Sequence, residues 1–391
     1  MTVQQAAIVA DTPATRKPLS PADIPGSPLA EAFKQPMMLG LFLDLQDTQR
    51  SEHPTSTTWN FDYNAAIVQR ADALGFELAF SRTQWLPKGG YDGEASLDSF
   101  IALGAMAPLT KRIMLISTLH VLYGPLHPLH IAKFGATFDH IAKGRWGINI
   151  VTGHRAIEHQ MFGWQQIEHD QRYALASELV DVVDRLWVED ENYSYDGISP
   201  WKLDNAYITP KPLFGRPVWV NATGSEAGIA FAARHSDIVF VTSPGGSHIE
   251  AAIESLPAHV AKIRAAAQAA GRQVRIVINP TIVSGKTDAE AKEYAAAIIA
   301  GKRTAEQIGR QNYSSDAHAW AGRKNGTARA GPGVGGNVEI IGGPAEVVDW
   351  LIKLKQVGID GIQIGFYDFD KDLDIFAEHI LPLMKQSGLR L

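Results

Sequence analysis

Cysteine is absent from the 391 residues, which excludes disulfides and thiolate chemistry. Also missing is any apolar run near the roughly 18 residues that a membrane-spanning helix needs. The opening residues, MTVQQAAIVADTPATRKPLS, contain no apolar core of a signal peptide, so a soluble cytoplasmic protein is expected. No cluster of lysine and arginine interrupts the acidic balance, net −6 with a pI near 6.1. Nucleic acid is therefore not an expected partner. No Gly-x-Gly-x-x-Gly follows the first strand-like run, which weakens the case for an open dinucleotide-binding sheet.

What is present is ordinary globular composition, 45% hydrophobic and 20% charged. The length suits two or three domains, or one large α/β barrel. Residues 1–36, rich in Ala, Pro, Thr and Ser, read as an arm that is disordered or draped over a neighbouring subunit. From Met37 onward, apolar strand-like runs alternate with helical patterns. The strand-like runs cover residues 37–45, 76–81, 112–118, 146–151, PVWVNA, SDIVFVT, VRIVINPTIV and 361–366. Between them, stretches such as YNAAIVQRADALG place Ile67, Ala71 and Leu74 on one helical face, with Gly75 as the stop. Eight strands in regular alternation with helices predict a closed (β/α)8 TIM barrel over residues 37–391. Insertions interrupt it at about 188–215, after strand four, and about 300–340, after strand seven. The first contains YDGISPWKLDNAYITPKP and reads as a small hairpin. The second contains WAGRKNGTARAGPGVGGN, either a disordered insertion or a lid over the barrel mouth.

One run does not fit a plain buried strand. GRWGINIVTGH carries Asn149 inside an apolar stretch and opens into Thr152, Gly153 and His154. Barrel active sites lie at the C-terminal ends of the strands, so the amide of Asn149 can point into the mouth. The same face collects Ser81, Arg82, Thr83 and Gln84, then Ser117, Thr118 and His120, then Glu158 and Asn221 to Ser225. Amides and hydroxyls dominate, and such groups orient a ligand by hydrogen bonds. NATGSEAG is a strand, a turn and a helix start. Its free N–H groups and helix dipole suit an anion, although Ser225 alone also reads as a simple N-cap. Arg172 and Tyr173 open another helix and could grip the same phosphate. Seven of the 13 histidines fall between His120 and His169. A metal site there is opposed by the absence of paired histidines at the end of strand one.

Taken together, GRWGINIVTG, EHDQRYALASE, NATGSEAGIAFAARHSD and GIDGIQIGFYDFDKDLDIFAEHILPLM resemble the bacterial luciferase-like, flavin-dependent monooxygenases. The likeness spans nearly the whole chain after the arm. It is strongest to the branch holding the dimethylsulfone and pyrimidine monooxygenases, and GPLHPLHIAK and IEHDQRY favour the sulfone enzymes. The resemblance implies reduced FMN supplied by a separate NAD(P)H-dependent flavin reductase, O2 as co-substrate, a flavin peroxide, and a homodimer or homotetramer. It carries flavin contacts onto Thr83, Gln84, Asn149 and Glu158, and phosphate contacts onto Arg172, Tyr173 and Ser225. Thr83-Gln84 stands where the pyrimidine enzyme has Ile-Lys. Thr118 and Asn149 match that enzyme's oxygen pocket, where both are expected to donate hydrogen bonds to the developing anion.

A substrate pocket is expected from His53, Trp59, Trp85, Tyr91, His120 and Tyr123. Its aromatic bias suits a small, weakly polar compound such as a sulfone. Arg82, Lys88 and Arg155 keep a sulfonate in view. Ring-opening or dehalogenating oxygenation of a heterocycle stands as an alternative. So do a deazaflavin (F420)-dependent oxidoreductase and a non-catalytic flavin-binding barrel.

Overall fold

A computed structural model describes residues 17–391, apart from residues 44, 47–50, 91–94, 125, 198–200, 305–306, 308–312, 318–332 and 336–337. Its strands are β1 (Met38–Leu43), β2 (Leu78–Ser81), β3 (Met114–His120), β4 (Trp146–Val151), β5 (Tyr193–Asp196) and β6 (Lys202–Ala206). The rest are β7 (Val218–Ala222), β8 (Ile238–Val241), β9 (Arg275–Ile278), β10 (Pro280–Ser284), β11 (Val338–Gly342) and β12 (Gly361–Ile364). Eight of them close a parallel barrel in the order β1, β2, β3, β4, β7, β8, β9, β12, with Met38 of β1 beside Gly361 of β12. Helices connect and surround these strands, so the fold is the TIM barrel expected from the sequence.

The strands read as unbroken apolar runs because both faces are covered. Along β2, Leu78 and Phe80 face the lumen with Met38, Ile116, Val220 and Phe240, whereas Ala79 packs outward beneath the helices with Leu41, Leu115 and Ile148. The first set is the barrel's own core and the second the layer between barrel and helices. Each fully buried Leu, Ile, Val or Phe contributes about 1.5–3 kcal/mol relative to exposure.

The segment read as an arm divides. Residues 1–16 lie outside the described residues. Residues 17–36 sit on this chain's own barrel, where helix Pro28–Ala32 places Leu29 and Ala32 in the lumen core beside Met38 and Val218. Ser27 caps that helix, accepting from Ala30 N–H at 3.0 Å, and Pro28 supplies a preset first turn. Ser20 then donates to Asp237 at 2.7 Å. Asp237 also accepts both Arg216 nitrogens and the Trp219 N–H, a buried pair with its remaining lone pairs satisfied.

VRIVINPTIV, expected as one strand, is two. β9 stays in the barrel, while β10 leaves it to pair with β11 in a separate parallel sheet. Pro280, which lacks an N–H, opens β10, where a ladder donor is dispensable. The insertion after β4 contains the antiparallel pair β5–β6. The glycine-rich stretch 320–337 lies outside the described residues except for 333–335. Among the described residues no helix is long and apolar enough to cross a membrane.

Candidate active site

Asn149 points into the barrel. Its register partners are Thr118 on β3 and Val220 on β7, and Val220 belongs to the lumen core. The side chain is only 4% exposed. Nδ2 of Asn149 donates to Oγ1 of Thr118 at 3.1 Å, and Oγ1 of Thr118 donates to the carbonyl of Ser81 at 2.8 Å. This direction fixes the amide: the Thr118 proton is committed to Ser81, so the atom facing Thr118 must be a donor. Oδ1 of Asn149 is thereby left buried with no protein partner. Leaving such an acceptor unsatisfied costs about 1–3 kcal/mol, which a ligand N–H would recover. Thr118, expected to donate toward the mouth, instead orients the amide. Ser99 braces the pair, bonding the same Ser81 carbonyl at 2.8 Å and accepting from Thr118 N–H at 3.2 Å.

Beside this pair, Thr83 accepts from Ser99 N–H through Oγ1 at 3.1 Å. Its carbonyl lies 2.9 Å from Nε2 of His120. A carbonyl only accepts, so Nε2 carries the proton and Nδ1 accepts from the Tyr123 hydroxyl. Burial lowers the His120 pKa, with nearby Glu158 opposing, which favours the neutral ring. Glu158 is fully buried. Its Oε1 lies 3.4 Å from both Arg155 Nη1 and the Trp85 N–H, and Oε2 meets no protein partner. Gln84 is half-buried next to Thr83. Gly153 has φ +86, and a Cβ there would lie 2.5 Å from His159 and 2.7 Å from Tyr123. Only glycine fits this turn out of β4.

A second cluster forms where β7 ends. Ser225 caps helix Glu226–His235, accepting from Gly228 N–H at 3.1 Å. A Cβ on Gly228 would lie 2.0 Å from Oγ1 of Thr223 and 2.9 Å from the Tyr173 hydroxyl, so this glycine lets both hydroxyls crowd the helix N-terminus. The Tyr173 hydroxyl faces Thr223 and Ser225, and burial raises its pKa, keeping it a donor. Arg172 is buried alongside. Three hydroxyls and a helix N-terminus converge here as an anion cradle, and the Arg172 guanidinium lies near enough for its charge to bear on the Tyr173 hydroxyl.

The expected pocket residues do not all meet. His120, Tyr123 and Trp85 lie on the β2–β4 side, where Trp85 packs edge-on against Phe162 at 5.2 Å. His53 lies on the opposite side of the barrel, at the end of β12, packed against Tyr367 and Tyr294 with ring centres 5.8 and 5.5 Å away. Trp59 is 39% exposed, and Tyr91 lies outside the described residues. Three features escaped sequence reasoning. Phe42, Phe80 and Phe240 pack with tilted rings at 4.9 Å spacings within the lumen. Gln363 of β12 is 1% exposed and leaves both amide atoms without a protein partner. Asp316 pairs with Arg172. Among the described residues no three His, Asp or Glu side chains are grouped to hold a metal.

Residues 37–361 match the family model described as luciferase-like monooxygenase. The chain is 32% identical over 339 residues to an FMNH2-dependent dimethylsulfone monooxygenase of Pseudomonas fluorescens, covering 84% of this chain and 89% of that one. It is 30% identical over 356 residues to the pyrimidine monooxygenase RutA of Allorhizobium ampelinum, covering 86% and 92%. Among solved structures, a long-chain alkane monooxygenase superposes with TM-score 0.74 at 22% identity, over 91% of this chain and 92% of that one. Riboflavin lyase superposes with TM-score 0.75 at 21% identity over the same shares. The barrel, its polar mouth and these matches lead to one conclusion: the chain belongs to the luciferase-like monooxygenase family.

Proposed function

We propose that this monooxygenase takes reduced FMN at the barrel mouth and uses O2 to oxygenate a small organosulfur compound, a sulfone or close relative. The observation that carries the proposal is the buried, unpartnered Oδ1 of Asn149. A reduced flavin edge offers N–H donors, and an acceptor held rigidly through Thr118 and Ser81 receives one without reorganisation. Thr83, Gln84 and Glu158 would hold the ring, and Ser225, Tyr173 and Arg172 the phosphate. When bound, the reduced flavin supplies the electrons that activate O2. The chain's own residues orient the ring, exclude water and keep His120 neutral beside the pocket.

The sulfone assignment draws on the activity of the Pseudomonas relative and on the aromatic side chains available to a substrate, Phe42 and Phe80 in the lumen and Trp85 and Tyr123 on the β2–β4 side, which suit a compact, weakly polar molecule. Oxygenation of a pyrimidine-like heterocycle is the second reading, favoured by the Thr118–Asn149 pair and by the RutA relative. Reduced FMN would arrive from an NAD(P)H-dependent flavin reductase through transient encounters. A cytoplasmic homodimer or homotetramer completes the proposal.

The test supplies photoreduced FMN, 18O2 and either dimethyl sulfone or uracil to the purified chain and reads products by mass spectrometry. Labelled oxygen in a sulfone-derived product supports the assignment. Label only in a uracil product transfers it to the second reading. Hydrogen peroxide alone, with every substrate offered, removes the oxygenase proposal.

A further inference from the structure

Arg172 exposes only 2% of its side chain. A guanidinium cannot shed its proton, so when buried it must face an anion or strong acceptors at all times. Its Nη1 donates to the carbonyl of Ile167, and its Nη2 meets both carboxylate oxygens of Asp316 at 2.9 and 2.8 Å. Asp316 comes from the distant insertion after β10, and it is seated by more than this pair. Its N–H donates to the carbonyl of His154 at 3.0 Å, and the hydroxyl of adjacent Ser315 pairs with Nδ1 of His154 at 3.0 Å. Residues 313–317 are thus fastened onto the loop that leaves β4. The next residue of the helix, Tyr173, faces Thr223 and Ser225 and feels the charge of both Arg172 and Asp316. The carboxylate therefore lies within electrostatic reach of the Tyr173 hydroxyl, one of the groups of the anion cradle.

We propose that Asp316 is an internal stand-in for the flavin phosphate. FMN binding exchanges its phosphate for this carboxylate on Arg172 and frees residues 313–317 from the mouth. This inference rests on the proposal that FMN occupies the cradle. A phosphate ester carries nearly two charges and three acceptor oxygens, whereas Asp316 offers one charge and is 41% exposed. The exchange keeps the buried guanidinium neutralised in both states. The two anions compete for one fork, since like charges at that spacing repel. Binding and release are then reciprocal: FMN loosens the segment, and a loosened segment favours FMN. Riboflavin, with no phosphate, leaves the Asp316–Arg172 pair in place.

The test measures dissociation constants for oxidised FMN and riboflavin, by quenching of flavin fluorescence, on the full chain and on Asp316→Asn. Exchange requires Asp316→Asn to bind FMN at least about fivefold more tightly, with riboflavin shifted by less than about twofold. Because the chain lacks cysteine, a nitroxide on Ala317→Cys reports the segment in an otherwise unchanged protein. Its EPR spectrum should sharpen with FMN and stay unchanged with riboflavin. This second measurement decides the matter even if Asp316→Asn does not fold. An FMN affinity in Asp316→Asn that gains less than about fivefold, or a label unmoved by FMN, overturns the exchange while leaving the flavin site standing. A wild-type chain that binds neither flavin overturns the site and the exchange together.

Discussion

Asn149 and Thr118 form a directed chain on adjacent strands: the amide donates to the hydroxyl at 3.1 Å, and the hydroxyl donates onward to Ser81. The two residues therefore have unequal roles. Asn149 presents the acceptor, and Thr118 is a positioning residue that holds it. Asn149→Ala is expected to lower oxygenated product by about 100-fold while retaining FMN binding, because the ring loses the acceptor that fixes its position. Thr118→Val is expected to cost less, about tenfold, and to raise the share of O2 released as peroxide, because the amide remains but is free to turn. Single-turnover product yield together with peroxide yield checks both. Equal losses in the two variants would contradict the division of roles.

Gln363 is buried with neither amide atom bonded to protein. Replacing an unsatisfied buried amide by an apolar side chain of similar shape removes a desolvation cost of about 1–3 kcal/mol. Gln363→Met is expected to unfold at the same or a higher temperature than wild type in the absence of substrate. If the amide meets substrate in the lumen, the same change raises KM for substrate and leaves FMN affinity unaltered. Thermal unfolding and steady-state kinetics provide the two readings.

Asp372 gives a pH dependence of definite sign. Burial pushes its carboxyl up to about 7, against a bond from the Asp368 N–H, and Oδ1 has no partner. The folded state holds this proton at pH values where the unfolded chain, near the ordinary 3.8, has released it. Stability tied to this group is therefore full below the unfolded value and is lost as pH rises through about 7. Asp372→Asn keeps the acceptor for Asp368 and cannot ionise. Its melting temperature should exceed that of wild type at pH 8, and the difference should disappear by about pH 4. A difference independent of pH would refute the assignment.

The barrel was legible in the sequence because strands buried on both faces leave continuous apolar runs. The amide of Asn149 was legible because it interrupts one of them. Ser225 stands out as the cap of a helix start, whereas Tyr173, read as opening a helix, lies a full turn inside His169–Val188. Other parts had no local signature. Leu29 and Ala32 sit in a segment whose composition resembles a disordered tail, and only tertiary packing reveals them as part of the lumen core. Asp316 is one acid in a polar insertion, and its partner lies 144 residues away. Gln363 reads as an ordinary alternating strand position until closure of the barrel buries it. Phe42, Phe80 and Phe240 come from three strands and meet only inside the lumen. Loops at one barrel end share a face, which in the sequence groups His53 with the pocket, yet β12 and β4 lie on opposite sides of the ring.

The most direct measurement of the central claim is a crystal structure of the chain with FMN. The expected result is an isoalloxazine edge within hydrogen-bond distance of Oδ1 of Asn149, with the phosphate against Ser225 and Tyr173. A flavin bound away from the strand ends, or Oδ1 still unbonded in the complex, would contradict it.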